Sequence, residues 1–193
     1  YQFWGNARID ALKGSYLQYD SLYHNNVKKI EGIQDAAPYL TSPAVISFGQ
    51  EVEGVIAKGI EPRRPIPFET NHIQFKSNDA SEIILSKSLA KKLLVSINDE
   101  IRLYTFSNTE ITNRKLKIIG LYHSGMEDYD LQYVMMPLLT LQKINNQLGK
   151  IDGYSIITNA SASSREVVKK LNDNLPENAI AASIEDITPQ IFD

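Results

Sequence analysis

The sequence predicts an α+β fold in which one lobe is assembled from both chain ends and a mostly β lobe is inserted between them. Three observations predict it. The two ends carry the same strand, helix, strand order, the middle holds little helical pattern, and that middle is dominated by β-branched and aromatic runs broken by Gly, Pro, Asn and Asp. The expected division is a discontinuous lobe of residues 1–42 and 149–193 around an inserted lobe of residues 43–148.

At the start of the chain, Asn6 to Leu12 reads as a strand. Asp20 to Glu31 reads as a helix with Tyr23, Val27 and Ile30 on one face, Gly32 stops it, and Gln34 to Leu40 is a strand. At the end, Gly153 to Thr158 is a strand. Ser163 with Glu166 three residues on reads as a capping box, Val167, Val168, Leu171 and Leu175 form the apolar face, Pro176 ends the helix, and Ala179 to Ile184 is a strand. Two βαβ units placed side by side make a four-stranded sheet with helices on one face, as in ferredoxin-like lobes, and bring the chain ends together.

Between them, Ala44 to Phe48, Val52 to Lys58, Ile73 to Lys76, Glu82 to Leu85, Glu100 to Phe106, Lys115 to Tyr122 and Tyr133 to Met136 read as strands. Lys87 to Leu94 is expected to be helical, with Ser86 as N-cap and Leu89 and Leu93 on one side. Glu127, Asp128 and Asp130 read as an acidic loop. Pro137 opens a helix whose apolar side is Leu138, Leu141, Ile144 and Leu148, with Gly149 as its stop. Gly49, Gly54 and Gly59 read as turn and bulge positions. Glu61 to Pro67, with three prolines and two arginines, is a loop and a candidate contact surface, and Phe106 to Arg114 is a short polar connection.

Composition narrows the function. The chain has 193 residues, 42% of them hydrophobic, enough to bury about 70% of the unfolded surface. A net charge of −3 and a pI of about 5.7 give no general attraction for nucleic acid or anionic lipid. Lysine and arginine pairs such as Lys28 and Lys29, or Lys91 and Lys92, read as solvated faces. The absence of cysteine excludes disulfides, thiolate metal sites and cysteine nucleophiles. No run approaches the roughly 20 apolar residues that span a bilayer. The chain opens at Tyr1 without an initiator methionine, which predicts an excised piece, with Tyr1, Phe3 and Trp4 either beside a bilayer or packed on the domain.

Nothing in the chain reads as catalytic. His24 lies in the polar part of the first helix, His72 in a turn beside Asn71, and His123 at a strand end beside Ser124; neighbours on a strand point to opposite faces, which argues against a direct His123–Ser124 bond. No G-x-S-x-G elbow, no Gly-Lys-Ser/Thr loop and no G-x-G-x-x-G is present, so acyl transfer and phosphate cradling are unsupported. The acidic loop lacks EF-hand spacing, so no metal site is assigned and no cofactor is expected.

Three ordered segments carry a family likeness. Leu116 to Leu148 presents Gly120 to Gly125, Glu127, Asp130, Val134 to Pro137 and Gln142. Val52 to Pro62 reads VEGVIAKGIEP. Ile83 to Leu103 reads IILSKSLAKKLLVSINDEIRL, with Asn98 before Asp99 where a Gly is usual, a tolerable change because Asn also accepts positive φ. Together they resemble the extracytoplasmic domain of FtsX-type ABC transporter permeases, the lipoprotein-releasing LolC/LolE branch and the related MacB core domain. The resemblance implies a porter-like lobe from the chain ends and an inserted Sabre-like lobe.

It further implies a non-enzymatic periplasmic domain of a bacterial inner-membrane permease, held between transmembrane helices. Its partners would be a cytoplasmic ATPase, a second permease subunit (self or paralogue) and a periplasmic lipoprotein carrier, with no nucleic acid. In LolC-like members the connection corresponding to Phe106–Arg114 forms an arm that engages the carrier, so Phe106, Asn108, Thr109 and Glu110, with Arg63 and Arg64, are the expected partner contacts, although no proline or apolar tip is present here. The rival functions are a MacB-like exporter, an FtsX-like regulator of cell-wall hydrolases and, in another class, a secreted hydrolase using His123.

Overall fold

A computed structural model of the chain describes residues 5–64, 66, 68, 73–107 and 110–191, with the side chains of 188–191 left aside. Tyr1, Phe3, Trp4, Asn71, His72, Asn108 and Thr109, for which the sequence raised expectations, lie outside the described residues. The chain divides into two compact units, residues 1–39 with 149–193, and residues 40–148.

The first unit begins with β1 (Ala7–Ala11), β2 (Leu17–Gln18) and α1 (Ser21–Lys28), followed by the opening residues, 33–39, of β3 (Ile33–Phe48). Asp20 is the N-cap of α1, its carboxylate accepting the Leu22 N–H at 2.8 Å. The sheet order is β11-β1-β10-β3, where β10 is Gly153–Thr158 and β11 is Ala179–Ser183, and every neighbouring pair is antiparallel. The expectation of two βαβ units side by side is therefore corrected. Each unit is split, with a strand of the other between its own two, because interleaving lets every strand pair antiparallel while the helical crossovers keep their length.

Alternation follows from that register. Ala7, Ile9, Tyr154, Ile156 and Ala36 form a buried row, and α1 lays His24 over the Tyr154 ring with centroids 5.5 Å apart. Pro38 is accommodated because Tyr39, next to it, turns its carbonyl toward β10 to accept from Asp152. The N–H that Pro38 lacks would thus face away from the ladder.

The second unit takes β3 from Leu40 onward, so the strands expected at Gln34–Leu40 and Ala44–Phe48 are one. Gly49, with φ +59°, and Gln50 form the turn into β4 (Glu51–Ile60). β5 (Glu82–Ser86), α2 (Lys87–Leu93), β6 (Glu100–Phe106), β7 (Ile111–Tyr122), α3 (Glu127–Gln132), β8 (Tyr133–Pro137) and α4 (Leu138–Ile144) complete it. The order β3-β4-β8-β5-β7-β6 closes through a β3–β6 pairing, giving a six-stranded barrel with mixed strand directions. Among the described strands, closure leaves no free edge. Ile46, Ala57, Ile83, Leu103, Leu116 and Val134 fill the interior.

Ser86 caps α2 as expected, its hydroxyl accepting the Leu89 N–H at 2.9 Å, and Asn98 takes positive φ, +77°. Several readings are corrected. Residues 73–76 form no strand. Gly54 and Gly59 sit inside β4, and a Cβ on Gly59 would lie 3.0 Å from Leu138 Cα, so this glycine admits α4 to the barrel wall. The Phe106–Arg114 connection shrinks to 107–110, because β7 already begins at Ile111. Leu148 is exposed beyond the end of α4.

Back in the first unit, β9 (Lys150–Ile151) pairs with β2, a two-residue ladder too short to leave a pattern in the sequence. α5 (Ser164–Asn172) starts after Ser163 without a side-chain cap bond, so the expected capping box does not close. α6 (Ile184–Ile191) was not anticipated, although Ser183 accepts the Asp186 N–H at 3.3 Å and donates to its carboxylate at 2.7 Å.

Candidate functional site

The first unit places its connections at opposite ends of one sheet. At one end, Ile184 N–H donates to the Asn6 carbonyl at 2.9 Å and the Asn6 N–H donates to the Ile156 carbonyl at 2.8 Å, so the segments leading to the two chain ends leave side by side. At the other end, Tyr39 pairs with Gly153 and Tyr19 N–H reaches the Gly149 carbonyl at 2.7 Å, where the chain departs for residues 40–148 and returns.

A polar row spans that second end. Asp10, Gly153 and Tyr39 are in register on β1, β10 and β3. Because Gly153 has no side chain, the Tyr39 hydroxyl reaches across it to donate to Asp10, whose other oxygen takes Arg8 Nε at 3.0 Å and Nη2 at 2.9 Å. A Cβ on Gly153 would lie 1.8 Å from the Ile9 carbonyl oxygen, so no other residue fits. Burial first, and the Asp10 charge second, push the Tyr39 phenol well above its ordinary pKa. The row ties the strand that enters the unit to the strand that leaves it.

A second polar knot lies in the other unit and corrects the reading of Glu127, Asp128 and Asp130 as a loop. These residues form α3, and the Asp130 side chain is only 1% exposed. Its carboxylate accepts the Ser124 N–H at 3.1 Å and the Ser124 hydroxyl, and lies 3.1 Å from His123 Nδ1, while its backbone carbonyl accepts the Ser86 hydroxyl. The Tyr122 hydroxyl donates to the Tyr133 carbonyl at 2.7 Å, and burial followed by the Asp130 charge raises its pKa. Ser124 gives its proton to the carboxylate, not to His123, so His123 is not positioned to activate it. The arrangement fastens three elements instead: the end of β7, α3, and the start of α2.

Of the expected contact residues, Arg64 is engaged, its Nε 2.7 Å from Glu61, and Arg63 is exposed. Phe106 and Ile111 stand opposite each other at the end of the β6–β7 hairpin, 54% and 67% exposed. Below them Ser107 N–H donates to the Glu110 carbonyl at 2.9 Å and Glu110 N–H to the Ser107 hydroxyl at 3.1 Å, closing the tip. Among the described residues no three His, Asp or Glu side chains converge in a way that could hold a metal ion. Sequence reasoning did not single out Asp10, Tyr39 or Gly153. A glycine opening a predicted strand was the one available signal.

The first unit is an open sheet on which Asn6 and Ile184 lie side by side, and the second is a barrel inserted in the chain between Tyr39 and Gly149. In fold the chain is similar to the periplasmic region of MacB from Actinobacillus actinomycetemcomitans, with TM-score 0.65 and 14% identity over 100% of this chain and 95% of that one. It is likewise similar to the extracellular domain of the noncanonic ABC-type transporter YknZ from Gram-positive bacteria, with TM-score 0.63 and 13% identity over 92% and 100%. No curated protein matches the chain.

The chain belongs to the MacB-like periplasmic core domain family, whose model matches residues 5–187. It is thus an extracytoplasmic domain of a MacB-like ABC transporter permease. Among the described residues no helix is long and apolar enough to cross a membrane.

Proposed function

We propose that this domain is a non-enzymatic coupler. Transmembrane helices flank it in an inner-membrane permease, ATP is hydrolysed by a cytoplasmic partner, and the domain converts the tilt of those helices into movement of its inserted lobe beside a second permease copy. Its cargo is a lipoprotein or another amphiphile. The lobe of residues 1–42 and 149–193 is ferredoxin-like, or porter-like, a reading supported by the order β11-β1-β10-β3 with its two split βαβ units. The lobe of residues 43–148 is the Sabre-like insertion. Phe106, Asn108, Thr109, Glu110, Arg63 and Arg64 face a periplasmic partner, a lipoprotein carrier in the lipoprotein-releasing case. A MacB-like exporter is the second reading, favoured by the family model over residues 5–187.

The observation that carries the proposal is the hydrogen bond between Ile184 and Asn6 at one end of the sheet, with Tyr39 and Gly149 at the other. Motion delivered at Asn6 and Ile184 reaches the insertion points only if the sheet between is stiff. The test is a flexible Gly-Ser linker of about eight residues placed just before Gly5 in the full-length permease, long enough to absorb a displacement of several ångströms. Cytoplasmic ATP hydrolysis should persist while transport is lost. Transport at its normal rate through the slack linker would refute coupling.

A further inference from the structure

The outer wall of the barrel breaks the rule that positions facing water alternate to polar. Register across four strands builds it. Pro43 pairs with Ile56, and one residue beyond the Ala44–Thr105 pair it meets Phe106, which pairs with Ile111. The next outward row holds Gly54, Val45, Tyr104 and Asn113, and the third holds Val52, Ser47, Arg102 and Lys115. The first row is apolar throughout, with Phe106, Ile111 and Pro43 exposed, whereas the third carries two cations. The Arg102 guanidinium bonds to the neutral Asn113 side chain, which leaves its charge uncompensated by that contact. A Cβ at Gly54 would meet nothing within 4 Å, so the middle row contains an open notch.

We propose that this wall, formed by β4, β3, β6 and β7, docks a segment of a partner protein that is apolar along one side and acidic along its border. The apolar side covers the Pro43–Phe106–Ile111 row and the notch at Gly54, and the acidic border meets Arg102 and Lys115. A second copy of this chain fits less well. A two-fold axis through the middle row would lay Arg102 and Lys115 over the partner's Phe106 and Ile111, burying charge against apolar side chains. The inference deepens the partner-contact reading of the hairpin and rests on it for the partner's place in a transporter.

The probe is a synthetic helical peptide with Leu and Phe on one face and Glu along the flank, titrated into the 193-residue chain and followed by backbone amide NMR. A matched peptide with Lys in place of Glu is the control. The acidic peptide should shift the amides of Val45, Gly54, Tyr104, Phe106 and Ile111, bind about tenfold more weakly to Ile111→Ser, and lose its advantage over the control on Lys115→Glu. Equal binding of the lysine peptide, shifts centred elsewhere, or a concentration-dependent dimer that Ile111→Ser abolishes would each overturn the proposal. The linker experiment reads coupling without this wall, so either idea can fail while the other stands.

Discussion

The two units solve the same problem in opposite ways. The barrel closes on itself through the β3–β6 pairing and leaves no strand unpaired, whereas the terminal unit is an open sheet with β11 at one edge. That edge is guarded by a side chain: Asn172 accepts the Ala181 N–H at 2.9 Å and donates back to the Ala181 carbonyl at 3.0 Å, occupying the groups another strand would use. The barrel is held by apolar filling and the Asp130 knot. The sheet is held across three of its four strands by the Asp10–Gly153–Tyr39 row. A closed unit resists deformation by topology, while an open one depends on specific cross-ties.

The largest expected effect breaks the tie in the sheet. Gly153→Ala drives a Cβ into the Ile9 carbonyl and should cost roughly 3 kcal/mol in denaturant unfolding. A cost under about 1 kcal/mol would mean the strands shift to absorb it. Asp130→Ala leaves the Ser124 N–H and hydroxyl without their acceptor and should cost about 2 kcal/mol, with the loss of hydrogen-exchange protection confined to the barrel. Asn172→Ala uncovers the β11 edge. About 1 kcal/mol of stability should go with it, and sedimentation should reveal association that grows with concentration, a behaviour no barrel substitution of similar cost should share.

Tyr39→Phe is the subtlest of the set and also carries a pH signature. Folding holds this phenol neutral, so its contribution is fully present below the ordinary value of 10.0 and is lost as pH rises through the raised folded value. The variant should be less stable by about 1 kcal/mol at neutral pH and should converge with the parent in strong alkali. A constant gap across that range would remove Tyr39 from the row's energetics.

Strands with strong alternation were legible: Glu100–Phe106 and Gly153–Thr158 appear with the bounds their patterns imply. α3 was hidden because a six-residue helix with three acids and one buried face reads like a solvated loop. β7 looked too short because Ile111 to Arg114 lie on a hairpin where polar residues face water. Interleaving was illegible in principle, since periodicity reports which face a strand buries and not which strand lies beside it. The cross-tie was equally silent, because Asp10, Gly153 and Tyr39 are far apart along the chain and meet only in that interleaved register. At the hairpin Phe106 stands among the expected contacts, but the expectation that no apolar tip is present there is corrected by the exposure of Phe106 and Ile111. Ile111 emerged only from the pairing.

The account rests on the terminal sheet behaving as one stiff body between the chain ends and the insertion points. Native-state hydrogen exchange of the 193-residue chain tests this most directly. The amides of β1, β10 and β11 should share a single opening free energy, set by unfolding of the whole unit. Exchange of β11 through its own low-energy opening, while β1 and β10 stay closed, would contradict it.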